Sequence, residues 1–340
     1  MTDIKQCIID KSSKLDIDII GFTDGEPLWN LEEYLSYRIE NNINTEFEER
    51  DIKKRIDPRL TFPDCKSIIV VGISYNVDYK HGDNNILKGN LSRSSWGIDY
   101  HRVLKDKMEA LIHEIEMEID FNFKYFVDTG PLVERELAKK AGIGYYGKNC
   151  SIINRDFGSF IFLGNIMTDL DINIDNTRED NCEECNLCIK ACPTNALDGK
   201  YGMNPKRCIS YLTQTKENLP EELMEMMGIN IYGCDTCQLV CPKNKGIKKS
   251  FHKEFIPEWT KGIIDIEELL NMSNRQFKDK YGSMAGSWRG KNILKRNGII
   301  AIGNMKDSKN IDLLIDEKKK DNPLLNPYID WAINKIRNGH

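Results

Sequence analysis

Eight of the eleven cysteines fall between positions 182 and 241. Cys182, Cys185, Cys188 and Cys192 are spaced C-x2-C-x2-C-x3-C, with Pro193 next. Cys208 stands alone, and Cys234, Cys237 and Cys241 form C-x2-C-x3-C with Pro242 behind. Thiolates on loops this short can converge on an iron–sulfur cube, and a proline directly after the run stops the backbone from continuing as helix. Zinc also takes C-x2-C pairs, but zinc ribbons rarely set four cysteines this tightly ahead of a proline. Disulfides need an oxidising compartment. The N-terminal MTDIKQCIIDKSSKLD carries neither an apolar h-region nor a twin arginine. The chemistry indicated is one-electron transfer.

In the run used by two-cluster ferredoxins, the fourth cysteine ligates the other cluster. That pattern assigns Cys182, Cys185, Cys188 and Cys241 to one 4Fe-4S cluster, and Cys192, Cys208, Cys234 and Cys237 to a second. Cys7, Cys65 and Cys150 lie outside the array and read as small packing residues.

The elements that must position these groups follow from periodicity. The first fifteen residues read as a helix, DIIGFT at 18–23 as a strand and residues 28–40 as a helix. SIIVVGISY at 67–75 is a continuous β-branched run, which predicts a central strand. Residues 76–98 form a long polar loop, and long loops are often functional. Asp99 is placed to cap a helix that buries Val103, Leu104, Met108, Leu111, Ile112 and Ile115. KYFVD at 124–128 predicts a strand, Thr129-Gly130-Pro131 a turn and residues 132–140 a helix. Strands are expected at 151–154 and 159–168. The alternation points to an α/β domain over residues 1–170, ahead of a cluster domain at 171–250. Past it, residues 265–270 and 274–280 read as short helices. Residues 289–303, 311–319 and 327–337 have helical spacing, with Trp288, Ile293, Leu294, Ile299, Ile300 and Ile302 on one side, so 251–340 reads as a HEAT-like helical region. No G-x-G-x-x-G or phosphate loop follows a strand, so a nucleotide cofactor is not indicated.

The net charge of −5 argues against a nucleic-acid partner, but the distribution argues for one. Five lysines and no acid lie between Lys243 and Lys253. Arg275, Lys278, Lys280, Arg289, Lys291, Lys295 and Arg296 face a single acid, Asp279. Such strips can track a phosphate backbone on an acidic protein. The apolar runs are too short to span a bilayer, and a cytoplasmic monomer is expected.

In order, DPRL at 57–60, SWGIDYHRVL at 95–104, VDTGPLVERELAKKAGIGYYGKN at 127–149, GSFIFLGNI at 158–166, RCISYLTQ at 207–214, GCDTCQLVCP at 233–242 and LKRNGIIAIGN at 294–304 resemble the epoxyqueuosine reductases of tRNA queuosine synthesis. The resemblance implies an α+β or α/β cobalamin-binding domain, a ferredoxin-like domain with two 4Fe-4S clusters and a HEAT-like tail on the tRNA anticodon stem. It implies electrons passing singly from the clusters to cobalamin, from an electron donor of unknown identity, and removal of the epoxide oxygen as water. In the family pattern Asp128 is the proton donor, and burial beside a corrin would keep it protonated near neutral pH. Helix capping is its alternative role. His101 and Arg135 are further catalytic candidates. The resemblance points to Ser92, Asp128, Ile152, Ser210, Asp235 and Arg59 for the cobalamin pocket, with no histidine below the cobalt. The other readings are a cobalamin reductase such as a reductive dehalogenase, an electron carrier, and a tRNA-binding scaffold.

Overall fold

The computed structural model describes residues 3–79, 86–177 and 180–338. The middle of the expected 76–98 loop, residues 80–85, lies outside them. Among the described residues the strands in chain order are β1 (Ile19–Asp24), β2 (Ser67–Ser74), β3 (Lys88–Leu91), β4 (Phe123–Phe126), β5 (Tyr145–Tyr146), β6 (Ile152–Ile153), β7 (Ile161–Thr168), β8 (Asn230–Tyr232) and β9 (Ile263–Asp265).

The main sheet has the order β1-β2-β7-β4, with every neighbouring pair antiparallel. This corrects the α/β expectation: alternation along the chain predicts a parallel sheet, whereas here the class is α+β. β2 is central as its composition requires. All eight of its residues are buried, and Ile69 sits opposite Ile166 of β7. The helix Tyr100–Glu116 packs against β7 through the six apolar residues that its periodicity picks out, and Asp99 caps it by accepting the His101 N–H at 3.1 Å. The helix Glu134–Lys140 packs against β1, β2 and β7. It approaches β1 so closely that a Cβ on Gly21 would meet the Ala141 carbonyl at 2.1 Å.

β3 pairs parallel with β8 and antiparallel with β9, so a small sheet gathers strands from three distant stretches of the chain. Their backbones are tied further by the helix Lys291–Met305. The helix is not one-sided as its spacing predicts: every residue from Ile293 to Gly303 is buried. It lies between the helix Asn326–Arg337, the helix Ile266–Asn271 and β8. Trp288, expected on the packed side, is exposed.

Two residues of the second basic strip, Lys295 and Arg296, are therefore internal, while Arg275 and Lys278 stay exposed. Lys295 donates to Leu270 O and to Glu317, with both charged side chains buried. Arg296 gives its guanidinium to the carbonyls of Thr215 and Leu212 and to Asn297 Oδ1. Lys291 donates to Met272 O, and Lys280 pairs with Glu268. A strip of like charges in sequence is spread over a helix, and here the helix faces the core. The first strip stays outside: Lys243, Lys245, Lys248, Lys249 and Lys253 are all exposed, with Lys248 and Lys249 paired to Asp156 and Asp78.

Asn297 donates from Nδ2 to Thr213 O and Ile231 O, both at 2.8 Å, in a fully buried site. Replacing it by alanine leaves two buried carbonyls without a donor, a loss of about 1–3 kcal/mol. Thermal unfolding of Asn297→Ala should show a melting point lower by roughly 2–10 °C. An unchanged melting point would mean that water or a neighbour satisfies those carbonyls.

Candidate active site and cluster cradles

The sulfurs of distant cysteines meet because short structural pieces carry them. Cys182, Cys185, Cys188 and Cys241 line one small cavity together with Lys148, Asn149 and Lys243. The Lys148 N–H points to Cys182 Sγ at 3.4 Å, and the buried Asn149 Nδ2 has no hydrogen-bond partner. Cys192, Cys208, Cys234 and Cys237 form the second group. Burial, followed by the thiols of Cys234 and Cys192, pushes Cys208 up to about 11. Cys237 is raised by burial and then by Cys208, Cys234, Cys188 and Cys192. Cys188 therefore stands between the two groups. Among the described residues no three Cys, His, Asp or Glu side chains converge as tightly as a single ion requires.

Asp128 lies just beyond β4, at φ 57°, a left-handed conformation that aspartate enters more readily than most residues. It does not cap the following helix, whose N-cap is Val133 with no side-chain bond. Instead the Asp128 N–H donates to Glu134 Oε1 at 2.8 Å, and Asn165 Nδ2 of β7 donates to the same oxygen at 3.1 Å.

The Asp128 carboxylate faces His101. His101 Nε2 is 3.5 Å from Asp128 Oδ2, and Nδ1 is 2.7 Å from Asp99 Oδ1. The imidazole is held flat by a stack in which Tyr100 lies 4.1 Å from His101 and 4.1 Å from Phe162 of β7. The hydrogen bond from His101 holds the Asp128 carboxyl below its usual range, outweighing burial. Burial alone would lower His101, but its bonds to Asp128 and Asp99 push it up to about 9. Burial and then the Asp128 charge raise Glu134 to about 8. In the chain by itself the Asp128 side chain is 63% exposed and lies beside His101, an arrangement that favours the proton on the imidazole.

Of the other expected contacts, Ser92 and Asp235 meet each other. Ser92 Oγ donates to Asp235 Oδ1 at 2.5 Å and the Arg93 N–H to Oδ2 at 2.8 Å. Gly233 allows this, since its φ is 71° and a Cβ would strike Ser92 Cβ at 2.4 Å. Ser210 lines a cleft of about 920 Å3, together with Cys208, Cys150 and Arg135. Arg135 donates to Cys150 O rather than to Asp128 or Glu136. Ile152 lines a neighbouring cavity of about 170 Å3 that shares Arg135 and Cys150 with the cleft. Arg59 is paired with Glu26 and is not brought to either cavity.

Comparison with known proteins agrees with this geometry. A family model described as "Epoxyqueuosine reductase QueG, DUF1730" matches residues 55–129, and one described as "4Fe-4S double cluster binding domain" matches residues 181–244. The epoxyqueuosine reductase of Bacillus cereus is 43% identical over 98% of this chain and 89% of its own length. The structure of epoxyqueuosine reductase from Streptococcus thermophilus superposes with a TM-score of 0.93 at 37% identity, covering 98% of this chain and 90% of that one. An epoxyqueuosine reductase solved with an epoxyqueuosine-modified tRNA-Tyr stem loop gives 0.94 at 38% identity over the same shares. This chain belongs to the epoxyqueuosine reductase family. The first family match spans Ser92, His101 and Asp128, and the second spans all eight array cysteines.

Sequence reading missed Glu134, Asn149 and Tyr100 and gave Asp99 only a helix-capping role. The one signal for Glu134 was its place in the matched stretch VERELAKK, where an acid in a first helical turn reads as routine.

The folded value of His101 lies above its free value of 6.5, so the protonated form favours folding. That contribution is complete below about pH 6.5 and is lost as pH rises through about 9. His101→Gln should flatten the decline in melting temperature across that window, as read by thermal unfolding of the reconstituted protein at several pH values. An unaltered pH dependence would refute the ion pairs.

Proposed function

We propose that this protein reduces epoxyqueuosine to queuosine at the wobble position of tRNA, using two 4Fe-4S clusters and cobalamin. Family membership and the printed substrate of the stem-loop complex support the reaction. The observation that carries the cofactor reading is that Cys208, from the second thiol group, forms part of the wall of the large cleft. A group seated there would lie against the cluster that feeds it.

The cysteines would divide between two clusters in the way their spacing predicts. Cys182, Cys185, Cys188 and Cys241 would hold one cluster, and Cys192, Cys208, Cys234 and Cys237 the other. The partnerless Asn149 Nδ2 and the Lys148 N–H suit a sulfide-bearing anion beside the first set. The cleft fits a corrinoid. Arg38, Arg55, Arg135, Lys139 and Lys200 line it, and Arg38 Nε is buried without a partner, as a phosphodiester and amide carbonyls would require. No histidine is among its lining residues. Ser210 and Arg135 would touch the cofactor directly and Ile152 from the adjoining cavity. Ser92 and Asp235 would shape the loop that carries Cys234. Bound there, cobalamin supplies a reduced cobalt for cleaving the C–O bond, and the clusters supply electrons one at a time.

Removing an epoxide oxygen as water takes two electrons and two protons. The chain's own part is the proton. Negative charge develops on the epoxide oxygen as the bond opens, so a donor must stand beside it. Asp128 would present its Oδ2 there and draw the proton from His101 Nε2, with Asp99 stabilising the imidazolium and Tyr100 fixing its plane. Glu134 holds the Asp128 backbone in its left-handed turn by accepting its N–H. The exposed lysines between Lys243 and Lys253, with the exposed Arg275 and Lys278, are the available phosphate contacts, since the buried Lys295 and Arg296 cannot reach RNA. We place the cobalamin domain at 1–170, the cluster domain at 171–250 and a HEAT-like region at 251–340, in a cytoplasmic monomer. The dehalogenase reading is the less supported.

Asp128→Asn should keep cluster absorbance and corrinoid uptake after anaerobic reconstitution yet lower turnover by about a hundredfold or more, the scale of a lost general acid. Mass analysis of tRNA nucleosides after chemical reduction measures it. Wild-type turnover by the variant would remove Asp128 from the mechanism. Zinc in place of iron, or conversion of an organohalide with tRNA left untouched, would overturn the function.

A further inference from the structure

Aromatic side chains with large exposed faces gather at the mouth of the cleft. Tyr34, Phe47 and Tyr201 line it, and Trp288 packs edge-on against Phe47 with ring centres 5.6 Å apart. Trp288 is 56% exposed and Phe47 42%. A lone exposed tryptophan is ordinary, but a group of aromatics around one opening marks a contact surface.

The indole is nevertheless fixed in place. Trp288 Nε1 donates to Tyr232 Oη at 3.3 Å, and Tyr232 Oη donates to Gln214 Oε1 at 3.1 Å. The Arg289 guanidinium lies 4.5 Å from the indole centre and 5.1 Å from that of Phe47, while its Nε is committed to Gln214 O at 2.5 Å. Glu46, near Arg289 and bonded to Tyr211 at 2.6 Å, anchors the loop that brings Phe47 in. The Tyr232 hydroxyl is also within electrostatic reach of Asp99 and Asp128. Trp288 thus borders the cleft wall through Phe47, but lies outside the cleft's own lining. An oriented ring with one wet face and a cation close by suits stacking against another flat, electron-rich ring.

We propose that Trp288 is a stacking platform for an unpaired base of the RNA loop, one that neighbours the reacting nucleotide. The inference rests on the function proposed above. A nucleotide that enters the cleft must leave its stack, and loop bases freed in this way are held on aromatic faces. Such a contact is sequence-tolerant and carries no charge. It would supply the affinity that the buried cations of the second strip do not.

The test uses the reconstituted holoenzyme and an unmodified anticodon stem-loop RNA carrying a 5′ fluorophore, titrated by anisotropy. Trp288→Ala should raise Kd about tenfold, the scale of one lost base stack. The slope of affinity against salt should not change, because no phosphate contact is removed. Corrinoid and cluster absorbance should match the wild type, and Trp288→Phe should recover most of the affinity. Unchanged affinity in Trp288→Ala overturns the platform. Loss of corrinoid uptake in that variant also overturns it, by assigning the indole to the cofactor. Wild-type protein that neither binds the RNA nor converts epoxyqueuosine would sink the function and the platform together, whereas a normal wild type with an indifferent variant sinks the platform alone.

Discussion

The buried guanidinium of Arg296 is the constraint on which the rest of the structure depends. It is 1% exposed and has no carboxylate partner; backbone carbonyls and an amide oxygen take its charge instead. A buried cation is costly unless its donors are satisfied, so the carbonyls of Leu212 and Thr215 must stay where they are. Asn297 adds the carbonyls of Thr213 and Ile231. Together the two residues clamp the turn after Cys208 to the strand before Cys234. The lone cysteine and the second run stay close only if those backbones are in register, so the C-terminal helix bears on the cysteine array although it carries no cysteine.

A second arrangement governs the proton. Three carboxyl groups, Asp99, Asp128 and Glu134, surround one imidazole. Asp99 and Asp128 bond the ring directly and outweigh its burial, so His101 is pushed up to about 9. An exposed Asp128 with a depressed pKa meets solvent on one side and a charged neighbour on the other. The left-handed turn at Asp128 is fixed from beneath by Glu134 and Asn165, and β7 supplies Asn165 and Phe162 to the two sides of the site.

The two arrangements meet through aromatic groups. Tyr232 bonds Gln214 at the cleft edge and Trp288 at the surface, and it belongs to β8, whose backbone Asn297 holds. The small sheet of β3, β8 and β9 thus joins the serine loop at Ser92, the cluster segment and the C-terminal helices. A change in any one of them would be felt at the cleft through fixed hydrogen bonds rather than through loose packing.

Much of this was legible in the sequence, for a physical reason. Cysteine spacing, the β-branched run of β2 and the buried side of the helix after Asp99 are local patterns, and local patterns survive into the fold. The grouping of Cys182, Cys185, Cys188 and Cys241 around one cavity follows from spacing read against the two-cluster pattern. Strand direction was not legible, because alternation of helices and strands is compatible with either pairing until the connections are seen. Nor was the fate of Lys295 and Arg296, since a basic residue in a helix reads as solvated unless the helix is surrounded. The proton's place was hidden for the same reason: Asp99 and His101 are far in sequence from Asp128 and Glu134, and only tertiary packing brings the two pairs together. Sequence fixes which groups are available; the distances that set their pKa values and partners belong to the folded chain.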